Sequence, residues 1–239
     1  MSTLLLVRHG QASFGAKNYD KLSKLGEEQC RQLGRYLVQH GEAYNRAFTG
    51  PLQRHQGSAA LVKEVYDQAG MPFPDIEMLP GLNEFHWDEL MQVIKTELVH
   101  KFEHLRTLKE DYTLMKNPAR KQRIFQLLFE EATKLWVNEA FVSPHVESWA
   151  HFSERADLAI SHMIEGQPKS CKYIAFTSGG PIAVASRRAM DLHPGKALEL
   201  MWSLRNAAMV EYFFTEDRFS LSAYNTHPHL ETAAEWTYR

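Results

Sequence analysis

Cysteine is scarce. The 239 residues contain two, Cys30 and Cys171, which excludes a disulfide scaffold and makes a reducing cytoplasm the simplest setting, though one pair could in principle bridge. Long apolar runs are missing too. No segment approaches the ~18 residues that a membrane helix needs. The opening run Leu4-Leu5-Leu6-Val7 stops at Arg8, too short for a secretion-signal core. An excess of either charge is also absent, since 27 Lys and Arg against 29 Asp and Glu leave −2. No global basic field would recruit nucleic acid or an acidic membrane, so neither is an expected partner and any anion site must be built locally from a few arginines. There is no repeat, low-complexity tract or Gly/Ser/Pro linker. What is present is an ordinary globular composition, 44% hydrophobic and 23% charged, in a chain long enough for one large domain with a substantial core.

Apolar spacing supplies the organisation. Residues 3–7 read as a short buried strand ended by a glycine. Residues 24–39 carry Leu25, Leu33 and Leu37 among charges, an amphipathic helix with Ser23 as its cap. Ala47-Phe48-Thr49 reads as a brief strand, followed by a helix through Leu52, Ala59, Leu61 and Val65. Residues 172–177 form a second clear strand, followed by Gly179-Gly180-Pro181 and a helix over 182–190. Residues 208–214 and 219–224 flank a turn as strand, turn and strand. Strands alternating with helices predict a three-layer α/β/α sandwich with a mostly parallel sheet. The middle differs: no glycine occurs between Gly81 and Gly166, and apolar residues recur at helical spacing. Residues 86–160 are therefore expected to form a helical cap insertion, interrupted near Pro118 and Pro144, within a single domain spanning 1–239.

Four elements carry chemistry. Arg8-His9-Gly10 lies past the first strand, where open α/β sheets bind ligands. Arg54 lies past the second strand, in Thr49-Gly50-Pro51-Leu52-Gln53-Arg54. Glu84 follows in Leu82-Asn83-Glu84, with Asp88 and Glu89 as rival carboxylates. Ser178-Gly179-Gly180-Pro181 offers backbone N–H groups at a helix start, a ready anion site, although the glycines also suit a simple tight turn.

Together these motifs, with Ser23-Lys24-Leu25-Gly26, resemble the histidine phosphatase superfamily, the group that includes phosphoglycerate mutases and many broad phosphatases. The resemblance runs from Leu4 to about Leu230, where Asn225 and His229-Leu230 weakly match the C-terminal pattern. It implies a phosphoglycerate mutase-like fold and a cofactor-free, metal-free phosphatase acting on a small-molecule phosphate ester through a phosphohistidine on His9. In that reading Arg8 and Arg54 clamp the phosphoryl oxygens, a task for which planar guanidinium forks suit better than lysine. Glu84 protonates the leaving alkoxide and later deprotonates water, with Ser178 and Gly179 completing the phosphate site.

The pattern breaks at Ser178, where the family places a second histidine. Losing one donor aimed at transition-state charge costs ~10²–10³ in rate, so reduced activity is expected, and a non-catalytic phosphate-ligand or protein-binding member of the fold is the alternative. His55, His86, His227 and His229 are candidates to compensate, His86 first among them because of its loop. The family's mutases usually carry an asparagine after the nucleophile, where this chain reads Ser13-Phe14-Gly15, so phosphoglycerate mutase-type transfer is the second alternative. His100 and His104, spaced i, i+4, have the spacing of zinc ligands on one helical face but lack the accompanying glutamate, and a solvated face explains them as well. Phe102, Phe125, Phe129, Trp136, Phe141 and Trp149 suit either a pocket wall or helical core packing. An oligomer is possible.

Overall fold

The computed structural model describes residues 1–13 and 20–238. The chain divides into two compact units, Met1–Glu84 with Glu154–Arg239, and Phe85–Ser153. In order, the elements are β1 (Ser2–Arg8), α1 (Lys24–Gln39), β2 (Arg46–Thr49), α2 (Gln53–Gln68), β3 (Ile76–Met78), α3 (Trp87–Val93), α4 (Val99–Lys101), α5 (Glu103–Leu114), α6 (Pro118–Val137), α7 (Trp149–Ile164), β4 (Lys172–Thr177), α8 (Gly179–Met190), α9 (Pro194–Ser203), β5 (Met209–Phe214) and β6 (Phe219–Thr226).

In the first unit the six strands form one sheet in the order β3-β2-β4-β1-β5-β6. The first four of these run parallel, and β5 and β6 are antiparallel. The result is a mixed α/β sheet flanked by helices, and the parallel expectation holds for every strand except the final hairpin. That hairpin closes with the Thr215 N–H donating to the Arg218 carbonyl at 2.8 Å. β1 lies mid-sheet, which explains an uninterrupted apolar run rather than alternation, because both faces are covered. Leu5 and Val7 join Ile174 and Phe176 of β4, Leu33 and Leu37 of α1, and Val62 and Tyr66 of α2 in one buried cluster. Strand alternation sends Leu4 and Leu6, also fully buried, to the other face. Ser23 caps α1 as expected, its Oγ accepting the Gly26 N–H at 3.0 Å. β3 and α9 were not legible in the sequence: β3 is three residues long, and α9 opens at Pro194 with no amphipathic run before it.

The second unit is helical, with bounds at 85 and 153 rather than 86 and 160. The helices break before Pro118 and around Pro144 as expected, and at the first break Asn117 caps α6 through the Arg120 N–H at 3.0 Å while Pro118 takes its first turn. Trp136 packs against Phe85, Trp149 and Phe152 at centroid separations of 4.7, 5.3 and 5.6 Å, and its Nε1–H donates to the Glu147 carbonyl at 2.7 Å. For Trp136 and Trp149, therefore, core packing is what the structure shows. His100 and His104 do not share a helical face, because the backbone turns extended at Phe102 and separates α4 from α5. Among the described residues no group of three or more His, Cys, Asp and Glu converges as metal ligands would, and no helix is long and apolar enough to cross a membrane. This unit also carries an open cleft of ≈ 900 Å³ lined by Asp88, Glu89, Glu97, His145 and Glu147 among others. Its carboxylates make it a poor host for an anion.

Candidate active site

The site is built where β1, β2 and β4 end. His9 follows β1, and its backbone is held from both sides. Its N–H donates to the Thr177 carbonyl at 2.9 Å, and its carbonyl accepts from the Ala207 N–H at 3.1 Å and from Asn206 Nδ2 at 3.3 Å. The next residue presses onto α1. A Cβ on Gly10 would overlap the Gly26 carbonyl and lie 2.8 Å from Cys30 Sγ, and a Cβ on Gly26 would overlap the Gln11 carbonyl. The glycines of two separate motifs are thus the two sides of one backbone contact.

The His9 side chain is buried. Its Nδ1 lies 2.7 Å from the Gly10 carbonyl. A carbonyl can only accept, so the proton sits on Nδ1 and Nε2 keeps its lone pair. Arg54 Nε–H donates to that lone pair at 3.2 Å. Burial drives the His9 pKa well below the usual histidine value, and the charges of Arg54 and Arg8 and the neighbouring His55 act in the same direction against the Gly10 bond. The imidazole is therefore neutral near pH 7, with its free nitrogen turned to a guanidinium.

Arg54 stands in the first turn of α2 and is almost wholly buried. Its Nη1 pairs with Asp20 Oδ1 at 2.8 Å, while Asp20 Oδ2 accepts the Gln53 N–H at 2.8 Å. Asp20 is a residue the sequence reading missed, and no motif marks it. Arg8 is placed differently from Arg54. Its guanidinium donates to the carbonyl of Leu204 and to that of Tyr238, the latter at 2.7 Å, so its head braces backbone while its charge still reaches His9.

Glu84 is brought to the same end of the sheet. Its Oε2 accepts the Gly180 N–H at 3.2 Å. The segment before it is pinned by Thr177 Oγ1 donating to the Leu82 carbonyl at 2.7 Å and by Arg155 Nη1 donating to the carbonyls of Gly81 and Asn83 at 3.1 and 2.8 Å. Arg155, on α7, is a second missed residue, since its role is backbone support and leaves no local signature.

Ser178 precedes α8 in extended conformation and gives the helix no side-chain cap. Its Oγ instead lies 2.6 Å from His55 Nε2. Gly179 is buried, with Met201 Cγ 2.7 Å from where a Cβ would stand. His55 is fully buried, its ring centroid 5.7 Å from that of His9, and burial followed by the charge of Arg54 lowers its pKa well below the usual value. Of the four stand-in histidines, this is the one brought against His9. His86, the first choice from sequence, is half-exposed in the second unit, 3.7 Å from Glu89. His227 lies 2.8 Å from Arg205 and packs on the Trp236 ring. His229 is buried. Phe14 and Gly15, the point of comparison with mutases, lie outside the described residues.

The sequence profile of the histidine phosphatase superfamily (branch 1) matches residues 4–119 and 119–227. A 2,3-bisphosphoglycerate-dependent phosphoglycerate mutase from Hamiltonella defensa subsp. Acyrthosiphon pisum (strain 5AT) is 31% identical over 105 residues, 41% of this chain and 41% of that protein. Matches to the curated relatives span between 35% and 57% of their lengths. Among solved structures, a mutant phosphoserine phosphatase from Entamoeba histolytica in complex with phosphoserine aligns with TM-score 0.60 at 15% identity, covering 96% of this chain and 100% of that one. A mycobacterial glucosyl-3-phosphoglycerate phosphatase with inorganic phosphate aligns with TM-score 0.60 at 18% identity, covering 96% and 99%. At such identities these two likenesses establish the fold alone.

Proposed function

Since the chain belongs to the histidine phosphatase superfamily, a family of phosphoryl-transfer enzymes, we propose that it is a phosphatase that hydrolyses small-molecule phosphate monoesters through a phosphohistidine on His9. One observation carries the reading: Nδ1 of His9 is committed to Gly10 and Nε2 is left as a lone pair beside the Arg54 guanidinium. A nucleophile and the cation that would hold its target are thereby set side by side.

In the first step the Nε2 lone pair attacks phosphorus and the ester P–O bond breaks. The departing alkoxide takes a proton from the Glu84 carboxyl. In the second step a water attacks the phosphohistidine while the Glu84 carboxylate accepts its proton. The P–N bond breaks, and its electron pair returns to Nε2. Arg54 exchanges its bond to the resting imidazole for the phosphoryl oxygens, and the charge of Arg8 adds to the field. Two buried free thiols, Cys30 and Cys171, suit a reducing cytoplasm.

The test is an aryl phosphate assay with alkaline quenching. Wild type is expected to release phosphate and to carry acid-labile, base-stable phosphate on His9, and His9→Ala to do neither. Equal phosphate release by the two proteins overturns the reading, and interconversion of phosphoglycerate isomers would reassign the chain to mutase-type transfer.

A further inference from the structure

The residue that stands where the family has its second histidine is a serine, yet an imidazole reaches the same place from another element. We propose that His55 and Ser178 act as one relay that replaces the missing histidine: His55 Nε2–H donates to Ser178 Oγ, and the Ser178 hydroxyl donates to a phosphoryl oxygen of the group passing to His9. The proposal rests on the phosphatase reading for the identity of that group. In it Ser178 touches the substrate and His55 is a positioning residue acting through it.

Three observations support the relay. The first is the 2.6 Å separation between His55 Nε2 and Ser178 Oγ, two atoms 123 residues apart in the chain and both buried. The second is tautomer. His55 Nδ1 is buried and has no hydrogen-bond partner among the described residues. If Ser178 donated to Nε2, the ring proton would sit on Nδ1 as an orphaned donor. With the proton on Nε2, Nδ1 keeps only a bare lone pair, and unsatisfied buried acceptors are better tolerated than unsatisfied N–H groups. That tautomer turns Ser178 Oγ into the acceptor and frees its hydroxyl hydrogen for a third partner, and no acceptor for it is found among the described residues. The third is position, since the His55 ring stands 5.7 Å from that of His9 and next in sequence to Arg54.

The space for this ring is reserved. A Cβ on Gly50 would overlap His55 Nδ1 and come within 2.8 Å of the Leu82 carbonyl, so the glycine after β2 is what admits an imidazole at position 55. A hydrogen bond accepted by a hydroxyl strengthens the one it donates, which lets a short neutral side chain do part of the work of a longer one.

The experiment measures orthovanadate, a mimic of the five-coordinate transition state, against inorganic phosphate, using the full chain and the variants His55→Ala, Ser178→Ala, the double variant and His55→Gln. Turnover of an aryl phosphate is recorded alongside. His55→Ala and Ser178→Ala are each expected to weaken vanadate binding and lower kcat by ~10²-fold, and the double variant by no more than either alone. Inorganic phosphate affinity should change only a few-fold. His55→Gln, whose amide can donate to Ser178 Oγ, should recover much of the loss. Unchanged vanadate affinity in His55→Ala, multiplying losses in the double variant, or equal losses for phosphate and vanadate would each overturn the relay. Vanadate binding reads the pair even if wild type never phosphorylates His9, a result that would count against the phosphatase reading instead.

Discussion

Acidification from pH 7.5 to 5 should destabilise this protein through histidine. His9 and His55 are buried and held neutral in the folded chain, and burial, followed by the charge of His227, lowers His229 to about 4. In the unfolded chain each returns to ~6.5. Below that value the unfolded state binds more protons than the folded one, so stability is fully present above ~7.5 and falls as pH falls. For His229, a folded value of about 4 against ~6.5 unfolded implies a loss of about 2 kcal/mol by pH 5. About 2 kcal/mol is also the most that any one histidine can lose by that pH, so three set a ceiling of roughly 6 kcal/mol, comparable with the whole stability of many domains. Two carboxylates act lower. Glu77, where burial acts upward but the Arg46 and His162 bonds prevail, and Glu235, held low by Gln32, lose their contribution only below the ordinary glutamate range. Urea unfolding at half-unit steps from pH 7.5 to 5 measures the slope. We expect it to approach zero at the upper end and to steepen toward as many as three protons, about 4 kcal/mol per pH unit, at the lower end. His55→Gln should remove about one proton from it. A flat profile down to pH 5 would refute the assignment of these rings as neutral and buried.

Further outcomes follow from the same geometry. Glu84→Gln should slow alkyl phosphates by ~10²-fold or more and nitrophenyl phosphate much less, because a good leaving group needs no proton; equal losses on both would remove Glu84 from the acid role. Arg54→Lys keeps the charge but loses the fork and the Nε–H donor to His9, and kcat/KM for an aryl phosphate is expected to fall ~10²-fold. Asp191, an exposed C-cap of α8 with φ 50°, is a stability control: Asp191→Gly should raise stability by about 0.5–1 kcal/mol in urea melts with activity unchanged.

Much of the candidate site's arrangement has a local sequence signature. Leu4–Val7 announces a two-sided strand, and the glycines at 10 and 26 and the arginine at 54 sit inside motifs. What sequence could not convey were pairings across the fold. Arg8 and Arg54 read as equal clamps, yet one heads into the carbonyls of Leu204 and Tyr238 and the other meets the imidazole. His86 was preferred to His55 because loop residues reach pockets more readily than helical ones. The opposite outcome depends on Gly50 leaving room for a ring, and nothing in the local pattern around residue 55 conveys that. Arg155 and Asp20 hold backbone and guanidinium through contacts 72 and 34 residues distant, separations at which periodicity is silent.

The central position of β1 has a consequence for biosynthesis. Its two neighbours are residues 172–177 and 209–214, so the strand that leads to His9 is made roughly 160 residues before its first flank and roughly 200 before its second. Its apolar run stays unshielded meanwhile, the kind of exposure that engages chaperones, and a nascent chain halted before residue 209 would hold His9 at the end of a strand with an open edge.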